Sequence, residues 1–250
     1  MTSRTVSLNR SSLSLWWWRV GWVAYVLVIL ALGTLPIIGT YPVFSHTADE
    51  PAHIAAGMEL LDRGSFTYEQ QHPPLARLAV AIGPYLLGAR SHGVSYVVNE
   101  GLAILYTSGD YEQTLRAARL GVLPFFVALV AITWIWALHH FGAVVGAAAA
   151  LILVTTPPLL AHAGVATTDV PVAAGCVAAL FAFVRWLEYP NAWRGAAFGA
   201  ATALAITAKL SALAFLPICC AAALALRWIS EHRRWSPLSL VQNAYSALPA

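Results

Sequence analysis

Twenty-six consecutive residues near the N-terminus, from Val20 to Ser45, read VGWVAYVLVILALGTLPIIGTYPVFS and include no Asp, Glu, Lys or Arg. A transmembrane helix needs about 20 apolar residues, so this stretch is long enough to cross a bilayer. It is too long for the apolar core of a signal peptide, which has roughly 7–15 residues. We therefore interpret it as a retained membrane anchor.

The composition of the whole chain agrees with this interpretation. Of the 250 residues, 59% are hydrophobic and 10% are charged, and the mean hydropathy is +0.69. Soluble domains carry about 25% charged residues, so a soluble domain is excluded, and so is a disordered chain. A net charge of +3 without a basic patch argues against nucleic acid as a partner. We predict an all-α polytopic membrane protein surrounded by membrane lipids.

Four further apolar stretches predict the remaining spans: residues 120–138, 141–161, 163–184 and 195–226. The last would form a helix about 48 Å long, against a hydrocarbon core of about 30 Å. We therefore predict two short helices that break near Lys209, with one long tilted helix as the alternative. The prediction is about six transmembrane helices in one module, residues 1–235, followed by a short tail, residues 236–250.

The distribution of charge predicts the orientation. With the N-terminus in the cytoplasm, the cytoplasmic segments hold eight arginines and only two acids, in agreement with the positive-inside rule. The one long loop, about residues 46–113, then lies outside and holds eight of the eleven acids. Thirteen of the fourteen basic residues are arginine, which indicates a GC-rich bacterial genome and hence a bacterial cytoplasmic membrane.

The long external loop carries helix signals of its own. Thr47 or Asp49 is placed to cap a helix that ends at Gly64. A second helix is predicted to start at Pro73-Pro74 and to run to about Gly88. Because both are apolar on one side, we expect them to lie along the membrane surface as juxtamembrane helices.

Ionisable side chains gather where these two helices begin. One cluster reads HTADEPAH at residues 46–53, and the other reads EQQHPPL at residues 69–75. A carboxylate there can take a proton from an acceptor hydroxyl or amine. Imidazolium groups or helix amides can hold a leaving phosphate. The two clusters therefore predict a site that acts on a lipid-borne phosphate.

Two charges inside predicted spans, Asp169 and Lys209, add to this picture. Each costs roughly 2.5–3.5 kcal/mol on insertion scales, and such residues usually face a cavity or a partner. An ion pair between them that only fixes helix packing is the alternative.

Two other residue sets leave alternatives open. Arg116 and Arg119, at the outer start of the second span, either bind a lipid phosphate or snorkel to the headgroups. Asp49 and His53, four residues apart, are placed to share a divalent cation. The sequence nevertheless requires no metal and no cofactor.

Four motifs, in this order along the chain, resemble glycosyltransferases of the GT-C superfamily that use polyprenyl-phosphate sugars. They are DEPAH at 49–53, HPPL at 72–75, TTDVP at 167–171 and TAKLS at 207–211. The resemblance is to the branch with the protein O-mannosyltransferases and aminoarabinose transferases, and it covers about residues 16–230. It implies an inverting transfer of a sugar from a polyprenyl-phosphate-linked donor to a lipid, glycan or protein acceptor at the outer face of the membrane.

The same resemblance implies roles for individual residues. Asp49 matches the position of the catalytic base, and Glu50 is its neighbour in the catalytic motif. The residues implied to bind the substrate or to face its cavity are His53, His72, Asp169 and Lys209. Among these, Lys209 is the partner expected for the donor phosphate.

Members of the superfamily are longer than this chain, so the resemblance also predicts a truncated or split protein. A partner subunit that supplies the missing spans is left open. Two other functions compete with glycosyl transfer: a transporter or flippase with Asp169 and Lys209 along its path, and a non-catalytic membrane partner.

Overall fold

The computed structural model describes residues 10–107 and 109–233, and every helix or strand element in that part of the chain is an α-helix. In chain order the helices are α1 (Arg10–Thr40), α2 (Glu50–Arg63), α3 (Pro74–Leu86), α4 (Val97–Thr107), α5 (Tyr111–Leu120), α6 (Leu123–Phe141), α7 (Ala143–Val154), α8 (Pro157–Ala163), α9 (Asp169–Glu188), α10 (Ala192–Ala208) and α11 (Ala212–Arg233). The predicted all-α membrane class is confirmed. The predicted tail, residues 236–250, lies outside the described residues.

Three helical stretches are long and apolar enough to cross a membrane. They are Tyr111–Phe141, Asp169–Glu188 and Ala212–Ser230. Helices α7 and α8 make a fourth span if this pair, which is bent by 62°, is counted as one. Length and composition therefore support three or four of the six predicted spans. When α7 and α8 are counted as one span, the other two predicted spans correspond to α1, whose apolar part is Ala24–Thr40, and to α10, which has 17 residues.

Two breaks between helices follow from the local sequence. Helices α7 and α8 meet at a Thr-Thr-Pro-Pro sequence, residues 155–158, where the prolines cannot donate the hydrogen bonds that would continue α7. The break predicted near Lys209 is confirmed, because α10 ends at Ala208 and Lys209 has an extended backbone, φ −160° and ψ 134°. The alternative of one long tilted helix is wrong.

The two helices predicted in the long loop, α2 and α3, are confirmed, but their surroundings differ from the prediction. Helices α4 and α5 were not predicted, and α2 packs against both α3 and α4. All ten residues Glu50–Glu59 of α2 are buried. Helix α2 therefore does not lie along a surface with one face exposed, because its neighbours enclose it.

Glycines allow this close packing of helices. A Cβ atom on Gly101 of α4 would lie 2.0 Å from the carbonyl oxygen of Pro51 in α2. A Cβ on Gly57 of α2 would lie 2.1 Å from the carbonyl oxygen of Arg77 in α3. The helix backbones touch at both points, so α2 is held in place from two sides.

We predict that Gly101→Ala lowers the stability of the protein by about 1–3 kcal/mol, since the added methyl forces the backbones of α2 and α4 apart. Gly199→Ala in α10 is the matched control, because nothing lies within 4 Å of a Cβ there and alanine favours a helix. Thermal unfolding of the purified protein in detergent compares the two. Equal unfolding temperatures for the two variants would contradict the packing described here.

Candidate active site

The first residue of α2, Glu50, is fully buried and makes hydrogen bonds to three separate parts of the chain. Its Oε1 accepts from Arg119 Nε at 2.9 Å and from the Ala166 N–H at 2.8 Å. Its Oε2 accepts from Arg119 Nη2 at 3.0 Å and from the Thr47 N–H at 2.7 Å. Burial raises the pKa of the Glu50 carboxyl, but these hydrogen bonds outweigh burial and hold the pKa below its usual value. Glu50 is therefore an ionised carboxylate with both oxygens committed to the fold.

Arg119 of α5 is the other half of this buried ion pair. It is 1% exposed, and all five of its N–H donors are used. Besides Glu50, the guanidinium donates to the carbonyl oxygens of Tyr41 at 3.3 Å, Phe44 at 2.8 Å and Ser45 at 2.9 Å. Both predicted roles of Arg119, lipid-phosphate binding and snorkelling, are wrong, because the guanidinium is buried and fully occupied within the protein.

Asp49 occupies the N-cap position of α2, yet its side chain makes no capping hydrogen bond. Its backbone is helical, φ −90° and ψ −25°, and the residue is exposed. The predicted capping role of Asp49 is therefore wrong. The Asp49 carboxylate is exposed, while the adjacent Glu50 fixes the backbone that carries it.

One turn further along α2, the imidazole ring of His53 packs edge-on against that of His72, with the ring centroids 5.7 Å apart. Burial, together with the charges of Arg77 and His72, lowers the pKa of His53 to about 4. Burial and the Arg77 charge also lower the pKa of His72. Both imidazoles are thus mainly neutral near pH 7, and among the described residues neither Nδ1 atom has a hydrogen-bond partner.

Helix α3 holds the second polar cluster in position. Arg77 is fully buried and pairs with the Glu69 carboxylate, and its Nη1 also donates to the Glu69 carbonyl oxygen at 2.6 Å. The other Glu69 oxygen, Oε1, lies 3.9 Å from His72 Nδ1. His72 is therefore positioned beside the ion pair of the buried Arg77 and the partly exposed Glu69, and not by the two prolines alone.

The third part of the site comes from α9 and the break after α10. Lys209 Nζ donates to Asp169 Oδ1 at 2.6 Å, and His162 Nδ1 lies 3.4 Å from Asp169 Oδ2. The predicted Asp169–Lys209 ion pair is present. The charge of Lys209 also acts on His72, so this pair lies near the loop residues.

The charge of Asp49 acts on both His53 and His72, and that of His53 acts on Asp169. The structure thus brings the predicted site residues together at one end of the helix bundle. We call this group the Asp49 cluster; its members are Asp49, His53, His72, His162, Asp169 and Lys209.

An apolar groove of about 750 Å³ lies beside the buried ion pair. It runs between the end of α1 and α8 and reaches Thr47, two residues before Asp49. The side chains that line it include Pro36, Ile37, Phe44, Leu160 and Val165.

A family model described as dolichyl-phosphate-mannose-protein mannosyltransferase matches residues 63–243. The chain belongs to this family. The matched segment includes His72, Asp169 and Lys209, whereas Asp49 and Glu50 precede it. Membership implies an integral membrane glycosyltransferase that depends on a polyprenyl-phosphate mannose donor. No curated protein and no solved structure shows a significant match to this chain.

Sequence reasoning missed several residues that build the site. Arg77 and Arg119 each look like an ordinary basic residue on a helix, and only their partners in the fold show that they are buried. Ala166 contributes a backbone N–H, which no sequence pattern reveals. His162 lies in the last turn of α8, and its contact with Asp169 across a short loop is visible only in the fold.

We predict a pH-dependent stability that originates in His53. The unfolded imidazole takes up a proton near pH 6.5, whereas the folded one does so only near pH 4. The unfolded state therefore binds more protons as the pH falls, and stability decreases by roughly 2 kcal/mol between pH 7 and pH 5. His53→Gln should remove this component of the pH dependence.

Unfolding temperatures measured from pH 7 to pH 5 test this expectation. The exposed His92→Gln is the matched control and should keep the wild-type slope. A His53→Gln protein with the same pH slope as the wild type would show that His53 is not the buried neutral group described here.

Proposed function

We propose that this protein transfers a mannosyl group from a polyprenyl-phosphate donor to an acceptor hydroxyl at the outer face of the membrane. The observation that supports this best is the pairing of two adjacent acids with opposite environments. Glu50 is buried and committed to the fold, whereas the Asp49 carboxylate is exposed beside the groups that would bind phosphate. Family membership supports the donor class.

The proposed reaction is a single displacement with inversion. Asp49 accepts the proton of the acceptor hydroxyl as its oxygen attacks C1 of the mannosyl group. The bond between C1 and the phosphate oxygen breaks, and polyprenyl phosphate leaves with the electron pair of that bond. The products are the mannosylated acceptor and a protonated Asp49, which returns its proton to water.

The leaving phosphate needs positive charge or hydrogen-bond donors. We propose that Lys209 supplies the charge, and that the Asp169 carboxylate, 2.6 Å from Lys209 Nζ, keeps this ammonium at the site. The neutral imidazoles of His72 and His53 add hydrogen-bonding groups. The apolar groove that reaches Thr47 has the character needed to take the isoprenoid part of the donor.

Glu50 has a different proposed role from Asp49. The catalytic role that the resemblance implies for Glu50 stays a prediction. The four hydrogen bonds to the Glu50 carboxylate leave no oxygen lone pair free to accept a proton from a substrate. We propose that Glu50 is a positioning residue that acts through Asp49. His53 and Asp49 remain candidates for a shared divalent cation.

The proposed orientation rests on the charges at the opposite end of the bundle. Helix α9 is about 30 Å long, so Glu188 lies roughly one hydrocarbon thickness from Asp169. Three arginines lie near that far end, Arg185, Arg194 and Arg227. Under the positive-inside rule that end faces the cytoplasm, and the Asp49 cluster then faces outward, as in a bacterial cytoplasmic membrane.

A transporter is the competing function, and the break at Lys209 is the feature that favours it, because transporters place substrate sites at broken helices. Uptake of polyprenyl-phosphate mannose into vesicles without any mannosylated product would support that function instead.

We predict that Asp49→Asn lowers the turnover number of mannosyl transfer by roughly 100-fold or more, which is the usual contribution of a general base. The KM for the donor should change little, because the amide leaves the phosphate-binding groups intact. Glu112→Gln is the matched control, since Glu112 is an exposed carboxylate on α5 that pairs with Arg116.

The assay uses radiolabelled polyprenyl-phosphate mannose and a serine- and threonine-rich acceptor peptide, with the protein in nanodiscs. Normal abundance and unfolding temperature of the Asp49→Asn protein exclude a folding defect. Wild-type turnover in this variant would remove Asp49 from the mechanism.

A further inference from the structure

A second group of ionisable side chains lies at the end of the bundle opposite to the Asp49 cluster. His139 and His140 occupy the last turn of α6, and Glu188 is the last residue of α9. The proposed transfer reaction uses none of them. We call this group the Glu188 cluster.

The ligand atoms of the Glu188 cluster have the spacing of a metal site. His139 Nε2 lies 3.6 Å from Glu188 Oε2, and His140 Nδ1 lies 3.6 Å from Glu188 Oε1. One atom from each of the three residues falls within 4.8 Å of the others. Ligands 2.0–2.2 Å from one tetrahedral Zn²⁺ ion lie roughly 3.4 Å from each other, so small side-chain movements suffice to coordinate one ion.

The helix ends at this cluster also favour a cation. Helices α6 and α9 both end at this cluster, and each helix C-terminus carries a partial negative charge. A cation is already present there: the Arg185 guanidinium lies 2.7 Å from Glu188 Oε2 and contacts His139 Nε2. The lone pair of that imidazole nitrogen therefore points toward positive charge, as it would toward a metal.

We propose that His139, His140 and Glu188 form a binding site for a divalent transition metal of the zinc class. Two imidazoles and one carboxylate supply three ligands, and water takes the fourth position. Arg185 competes for the same carboxylate and imidazole, and it moves aside when the ion binds. The ion then joins the ends of α6 and α9 on the side of the membrane away from sugar transfer.

The competition with Arg185 separates a metal site from a simple ion-pair network. Arg185→Ala should strengthen Zn²⁺ binding, because it removes the competing cation and no ligand. Glu188→Gln and His140→Asn should each weaken Zn²⁺ binding by more than roughly tenfold, because even residues that only orient the ligands typically contribute about 10–100-fold to the affinity. His92→Asn, an exposed histidine outside the cluster, should leave binding unchanged.

The experiment uses full-length protein purified without a polyhistidine tag, treated with EDTA and titrated with Zn²⁺ by calorimetry. One Zn²⁺ site that depends on Glu188 is expected, and saturating this site should raise the unfolding temperature of the wild type but not of Glu188→Gln. The visible spectrum of bound Co²⁺ gives an independent readout on the wild type, which does not depend on any variant folding. The proposal fails if the wild type binds no Zn²⁺, or if binding is unaffected by Glu188→Gln and His140→Asn.

Discussion

The buried ion pair between Glu50 and Arg119 is the contact on which the rest of the site depends. It joins the segment after α1, the start of α2, α5 and the loop before α9 through hydrogen bonds to one carboxylate and one guanidinium. Two charges can remain buried only when both are fully bonded, and removal of one partner typically costs about 3–5 kcal/mol. The exposed Asp49 therefore takes its position from its buried neighbour Glu50.

The ionisable side chains of the bundle lie mainly at its two ends. Ionisable groups at one end hold Asp49 and Lys209 near each other, while arginines and the Glu188 cluster occupy the other end, and the helices between are mainly apolar. In the orientation proposed above the two sets face different compartments, so the chemistry proposed for one face is separated from the metal binding proposed for the other. The neutral state of His53, buried against Arg77, shows how closely the loop helices enclose the first set.

The sequence was most informative where a local pattern determines the structure. The apolar runs, the prolines that open α3 and the break at Lys209 all have local causes, and each was predicted. The partners of Arg119 were not predictable, because its guanidinium bonds to residues 69 and more positions away in the chain. The sequence also did not predict that α2 is enclosed. Helix α4 carries no strong helix signal, and the need for glycine at position 101 comes from its contact with the backbone of Pro51, which is distant in the chain. The site residues came together as their motifs implied, although Asp49 proved not to be a cap.

A double-mutant cycle on Glu50 and Arg119 is the most direct test of this account. Unfolding temperatures of Glu50→Gln, Arg119→Met and the double variant are compared with that of the wild type in one detergent. We expect each single variant to lose much stability, because it leaves a buried charge or hydrogen-bond donor without its partner. The double variant should lose clearly less stability than the sum of the two single losses. Small, additive losses would contradict the account, because they would show that the pair does not hold these segments together.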